Sequence, residues 1–314
     1  MTTSWMTPNQ RWQWQLLLEL KLRRLHGDAF QGFFASVMEH LHGNDFVRVR
    51  AFGSLGDKGC DGYLQGAGRL YQCYGKLHDA ALNVTTLVGK IETDYTKAAA
   101  ALARLIREWH FVHNLFDGMP VEALAKLDEM RAANPHHVIG FVGPAGFEER
   151  VFALEELRIV ALLGPVASAE DSCNLRMEEV RDLMNGVTRG MVAAPIDEGS
   201  PAEVPYDKLD FNGITGPWHH LLASGSRNAA FVAEYVSQHA DPEFGRKVAE
   251  AFRERYRDLK AQGLLPNAIL THLYEGVTGI GSVSPERQVA AQALLAYLFD
   301  ACDIFEDHPS KVAA

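Results

Sequence analysis

The run CDGYLQGAGRLYQCY, residues 60 to 74, leaves this chain the least freedom. Two short stretches that alternate apolar and polar residues, CDGYL and LYQCY, flank a glycine-rich connection, and that pattern specifies an antiparallel hairpin. With QGAG (65–68) as the turn, Leu64 pairs with Arg69, Tyr63 with Leu70, Gly62 with Tyr71, and Asp61 with Gln72. Directly opposed residues share a sheet face with Cβ atoms about 4.5–5.5 Å apart. Tyr74 follows Gln72 on that face, and Lys76 joins them if the strand continues. A slip of one residue would scatter these groups over both faces, so the turn length decides the outcome.

The surrounding sequence supplies helices and further strands. QRWQWQLLLELKLRRLHG (10–27) reads as a helix closed by Gly27, and Asp28 as the cap of a second helix. Phe30, Phe33, Phe34, Val37, Met38 and Leu41 form that helix's apolar stripe, with Glu39 beside it. FVRVRAF (46–52) alternates like a strand. After Lys76 helix and strand patterns alternate: helix over 94–109, strand over 111–116, a helix from Val121 stopped before Pro135, strand over 136–143. From about residue 170 the pattern is helical, interrupted by the proline-rich loop 194–208. Asp241-Pro242-Glu243 and Ser284-Pro285-Glu286 read as helix starts. The expected architecture is an α/β domain over 1–165 and a mostly α-helical domain over 166–314.

Composition narrows the class. Of 314 residues, 47% are apolar and 22% charged, the balance of a soluble globular chain. No apolar run approaches the roughly 18 residues of a membrane span, and the opening MTTSWMTPNQRWQW has no signal-peptide core. Four cysteines without CxxC spacing read as reduced thiols, so a cytoplasmic location is expected. The net charge of −10 divides unevenly: residues 1–90 carry +3 and the remainder −13. A mildly basic first part on an acidic second part suggests two jobs.

A carboxylate, an amide, a phenol and an ammonium on one surface suit a hard divalent cation. Mg²⁺ takes oxygen ligands, keeps several waters, and commonly uses one or two carboxylates plus a substrate phosphate. In phosphodiester hydrolysis such an ion activates water and neutralises developing charge. Asp61 would anchor it, Gln72 would add an oxygen, and Lys76 would address the phosphate. Glu39 is a further carboxylate within reach of such a site, and Gly62 and Gly75 would let a phosphate backbone approach. The same residues also read as turn chemistry: Asp-Gly is a common turn pair, and a Gln opposite an Asp is a common surface hydrogen bond.

GDKGCDGYL…LYQCYGK resembles the Mrr-like branch of the restriction-endonuclease-like (PD-(D/E)XK) nucleases, whose pattern is GD-x-G-x-DG followed by Q-x-K on the next strand. It is closer to a variant with tyrosine in the lysine position, similar to the N-terminal domain of effector proteins from ABC-three-component, or Lamassu-like, antiphage systems. WHFVHN (109–114), KLDFNGI (208–214) and YLFDACDIFED (297–307) resemble that second family. The resemblance implies a mixed sheet flanked by helices. It implies metal binding (Mg²⁺ or Mn²⁺) by Asp61, Gln72 and Glu39, with Tyr74 where the catalytic lysine usually stands and Lys76 two residues on. It further implies an antiphage DNA endonuclease whose helical part docks on an SMC-like ABC ATPase and a small middle component. Cleavage would be restrained until these partners, or self-association into a homo-oligomer, permit it. Tyr74 also fits a degenerate nuclease fold kept for DNA binding or scaffolding.

Other candidate sites are weaker. His110, His113, His136, His137, His219 and His220 lack HExxH or finger spacing and read as structural or surface groups, with His113 and Asn114 able to face the site from a neighbouring strand. GPAG and GIGS lack the GK[ST] of a phosphate-binding loop.

Overall fold

The computed structural model describes residues 5–49, 58–77, 80–188, 206–301 and 303–306. The chain divides into two compact units: Leu17 to Leu163 builds one, and Ser4–Leu16 joins the stretch from Gly164 onward in the other. The sequence boundary at 165 lies two residues from this division. The early segment differs, because helix α1 (Pro8–Arg24) gives its first half to the second unit.

In the first unit a five-stranded mixed sheet runs in sequence order. Strands β1 (Phe46–Arg48), β2 (Gly62–Leu64) and β3 (Arg69–Tyr74) form an antiparallel meander. Strands β4 (Glu108–His113) and β5 (Val138–Val142) continue it in parallel. Parallel neighbours need a crossover. Helix α3 (Val84–Ala101) lies in the first crossover and α4 (Val121–Ala133) in the second. The α3 helix begins ten residues before the Asp94 start that the sequence suggests, because Asn83 caps it by accepting from Thr86 N at 2.9 Å. Helix α2 (Gly27–His42) follows α1, with Asp28 in its first turn and His26, not Asp28, at the cap position.

Alternation along β3 sends its side chains to two different packings. Tyr71 meets Phe34 of α2 at 5.1 Å between ring centroids, and Phe34 meets Phe147 of α5 (Pro144–Val151) at 5.6 Å. On the opposite face Leu70 packs with Trp109, Phe111 and Ile139 of the sheet, Leu87 and Ile91 of α3, and Leu127 and Met130 of α4. Gly62 and Gly75 serve this packing, not a phosphate. A methyl group at Gly62 would lie 2.5 Å from the Phe46 ring, and one at Gly75 would lie 2.4 Å from Phe30 Cβ. Short helix α6 (Glu156–Leu163) ends the unit.

The second unit is helical: α7 (Ala169–Cys173), α8 (Met177–Thr188), α9 (Tyr206–Phe211), α10 (Pro217–Ser237), α11 (Phe244–Ala261), α12 (Pro266–Thr278) and α13 (Pro285–Asp300). Helix α13 is its core, buried from Gln288 to Ala296 without a break, and Ser284 caps it as the sequence suggests. Helix α10 crosses so close that a methyl at Gly225 would lie 2.1 Å from the Gln292 carbonyl oxygen. KLDFNGI and YLFDACDIFED are knitted together. Buried Lys208 donates to the Phe299 carbonyl, Asn212 donates to Glu306 O at 2.9 Å, and Glu306 N donates back to Asn212 at 3.0 Å. Among the described residues no helix is long and apolar enough to cross a membrane.

Candidate metal and phosphate site

The hairpin register is the one its turn length dictates: Leu64 pairs with Arg69, Tyr63 with Leu70, and Gly62 with Tyr71. The next expected pair does not form. Asp61 N donates to Tyr71 O at 2.7 Å, so Asp61 and Gly62 both address Tyr71, and the strand bends as at a bulge. The bend turns the Asp61 carboxylate toward the central strand β3, where Oδ2 accepts from Cys73 N at 2.7 Å. Asp61 therefore meets the backbone between Gln72 and Cys73. Its carboxylate is mostly buried and takes the place of a ladder carbonyl where β2 has ended.

Gln72 points to the α3 face with Leu70 and Tyr74. It is 1% exposed, and its Oε1 has no hydrogen-bond partner among the described residues. A buried acceptor left unmatched costs about 1–3 kcal/mol, and on the neighbouring strand Trp109 Nε1 and His113 Nε2 likewise lack a partner among the described residues. Tyr74 stacks on Phe111 at 5.8 Å, and burial raises its hydroxyl pKa. The positive charge of Lys90 opposes that rise.

Lys90, on α3, is the residue that the sequence analysis overlooks. Its ammonium forms an ion pair with mostly buried Asp94 at 2.5 Å. Its charge also reaches the Cys73 thiol, whose pKa rises through burial first and then through the Asp61 charge. An i, i+4 Lys-Asp pair on a helix is a common surface motif, so spacing carried no signal. Only the seating of α3 over the Gln72 face gives Lys90 its place.

Two expected members stand elsewhere. Glu39 pairs with Arg48 through contacts of 2.8 and 3.1 Å on α2, the helix that packs on the Tyr71 face, so it does not join Gln72. Lys76 lies beyond the end of β3, and its exposed Nζ donates to Leu77 O at 3.2 Å. The strand does not continue, so the period of two no longer fixes its face. Its backbone is held by Asn114, whose Oδ1 accepts from Lys76 N at 2.9 Å while its Nδ2 contacts the Leu22, Leu25 and Lys76 carbonyls. Asn114 is thus a staple. His113 is buried, its Nδ1 accepts from Leu115 N at 3.2 Å, and desolvation lowers its pKa to about 4. His110 is likewise held neutral, lowered to about 4 by burial and then by the Arg69 charge.

Among the described residues no group of three or more His, Cys, Asp and Glu could hold a metal. That excludes a zinc-type cage there but not a hard dication held by one carboxylate, an amide oxygen, water and substrate phosphate. The Asp61 carboxylate and the Gln72 amide oxygen, which has no partner among the described residues, are donor types that suit that second set, and Glu39 is engaged with Arg48 instead.

Residues 179–306 match the family model for C-terminal domain 10 of the ABC-three component (ABC-3C) systems. That stretch lies within the helical unit and contains the linked segments around Lys208 and Phe299. No curated protein and no solved structure matches the chain.

Proposed function

We propose that this protein, a component of an ABC-three-component antiphage system by its C-terminal domain, is the system's metal-dependent DNA endonuclease. The observation that carries the reading is the buried Gln72 oxygen, without a hydrogen-bond partner among the described residues, on the strand whose Cys73 N–H donates to Asp61. A polar atom kept in a core at a cost to stability is expected where it serves a ligand. The mixed sheet flanked by helices supports the reading as well.

Asp61 and Gln72 would hold Mg²⁺ or Mn²⁺, and when bound the ion would polarise the scissile phosphate and lower the pKa of an attacking water. The chain's own residues do the rest. The Asp61–Cys73 hydrogen bond fixes where the carboxylate stands. Lys90, oriented by Asp94, supplies the cation that Tyr74 cannot, and offsets charge on the phosphate. Lys76 is the second ammonium near the end of β3 and contacts the flanking backbone. The helical unit docks on an SMC-like ABC ATPase and a small middle component, which restrain cleavage until DNA is sensed.

Tyr74 in the lysine position favours a second reading, a degenerate nuclease fold that binds DNA or scaffolds its partners. Cleavage of a fluorescent duplex in Mg²⁺, with the partner components present, separates the two. The endonuclease reading expects cleavage by wild type, loss in Asp61→Asn, and a larger rate loss in Lys90→Ala than in Lys76→Ala. Absence of cleavage by folded wild type, with salt-sensitive DNA binding retained, would establish the scaffold instead.

A further inference from the structure

We infer that the start of α5, together with His113, is a binding site for one phosphate group. The segment is GPAG, residues 143–146, where β5 gives way to the helix. Gly143 stands at the cap position, and with no side chain it leaves the helix uncapped. Pro144 has no N–H, so Ala145 and Gly146 carry the first amides of α5. Neither amide finds an acceptor among the described residues. Ala145 is exposed and Gly146 half-buried, so solvent reaches this turn.

His113 supplies an independent sign of a missing acceptor. It is 3% exposed, and Leu115 N donates to its Nδ1 at 3.2 Å. In the neutral ring that contact places the proton on Nε2, which has no hydrogen-bond partner among the described residues. The Cε1–Nε2 edge of the ring faces the empty side of Gly143. A Cβ added to Gly143 would lie 3.1 Å from Cε1 and 3.2 Å from Nε2, and its next neighbour would be Nδ1 of the same ring at 3.9 Å. Chain neighbours apart, this imidazole alone borders the place that a cap side chain would fill. In an ordinary cap the side-chain oxygen at that place accepts from the second or third amide of the helix. Here one oxygen from outside would accept from Ala145 or Gly146 and from His113 Nε2–H together.

The donors select an anion. Three N–H groups without acceptors border one place, and the positive end of the helix dipole adds to them. The first turn of α5 holds no acidic residue, and Arg150 Nη1 folds back onto the Gly146 carbonyl at 2.7 Å, bringing a guanidinium to that turn. A phosphate has oxygens enough for amides, an imidazole and a guanidinium at once. The place also lies at the carboxyl ends of parallel β4 and β5, where open α/β sheets take their ligands. It uses neither Asp61 nor Gln72 and needs no metal.

Labelling the histidines of the full chain with nitrogen-15, in EDTA, reads the site by NMR. The His113 Nε2 resonance, assigned by its absence from His113→Phe, should shift saturably as inorganic phosphate is added. Gly143→Asp puts a carboxylate in the same place, so phosphate affinity should fall about tenfold or more, the worth of one charge-assisted hydrogen bond. A DNA duplex with hydroxyl ends distinguishes the source. If it shifts Nε2 and displaces phosphate, the site holds a backbone phosphate; if it does neither, the site holds a small free phosphate. Because EDTA removes any metal, failure of the metal centre leaves this result standing. A His113 Nε2 resonance unmoved by both phosphate and duplex at millimolar concentration would overturn the inference, with no variant needed. An unchanged phosphate affinity in folded Gly143→Asp would overturn it as well.

Discussion

Replacing Gln72 with Met should make the protein more stable and less active. The side chain is 1% exposed, and Met fills nearly the same volume without the Oε1 that lacks a partner. Removing an unmatched buried acceptor returns about 1–3 kcal/mol, and a thioether against Phe111 and Leu70 loses nothing in packing. Allowing about 1 kcal/mol for imperfect fit leaves a net gain of up to about 2 kcal/mol. For a unit near 150 residues, that gain raises Tm by up to about 8 °C. Thermal unfolding followed by circular dichroism, with urea unfolding at 25 °C beside it, reads the change directly. Gln72→Ala supplies the contrast: it removes the same oxygen but leaves a cavity, and should lower stability by about 2 kcal/mol or more. If Gln72→Met melts at or below wild type while keeping its fold, the oxygen has a stabilising partner and the reasoning fails.

Asp61→Ala should cost about 1.5–3 kcal/mol, because the Cys73 N–H on the central strand loses a charged acceptor, while Asp61→Asn retains an acceptor and much of the stability; urea unfolding distinguishes them. Gly75→Ala should destabilise by about 1–3 kcal/mol through its clash with Phe30, and DNA affinity per folded molecule should stay unchanged in a filter-binding titration. Gly225→Ala should lower Tm through the clash with the Gln292 carbonyl, read by differential scanning calorimetry. His113 has an ordinary pKa of 6.5 and is lowered to about 4 by burial, so the unfolded chain takes up its proton first on acidification. Its contribution is full above pH 6.5 and is lost as the pH falls toward 4, by on the order of 3 kcal/mol. His113→Phe should flatten that decline in urea midpoints measured between pH 7 and 4.5.

The sequence carried the hairpin register because turn length and period-two alternation determine it locally, and Leu64–Arg69 through Gly62–Tyr71 pair accordingly. The bulge at Asp61 was not legible. It arises where β2 ends and the carboxylate replaces a missing strand partner, which is tertiary information. Glu39 misled because nearness in sequence says nothing about which sheet face a helix covers. Gly62 and Gly75 looked like room for a ligand, but aromatic side chains from α2 and β1 occupy that room. Lys90 was invisible for the converse reason, its place being set by how α3 lies over β3. In the helical unit, KLDFNGI and YLFDACDIFED stood out from the sequence, and their backbone and side-chain bonds explain why these residue types occur together.

The central claim is that Asp61 and the orphaned Gln72 oxygen form one metal centre. Water-proton relaxation during Mn²⁺ titration of the full chain tests it without needing activation or partners. Wild type should bind Mn²⁺ saturably and in competition with Mg²⁺, and Asp61→Asn and Gln72→Met should each lose that binding while remaining folded. Mn²⁺ binding unchanged in both variants, or absent from folded wild type, would contradict the account.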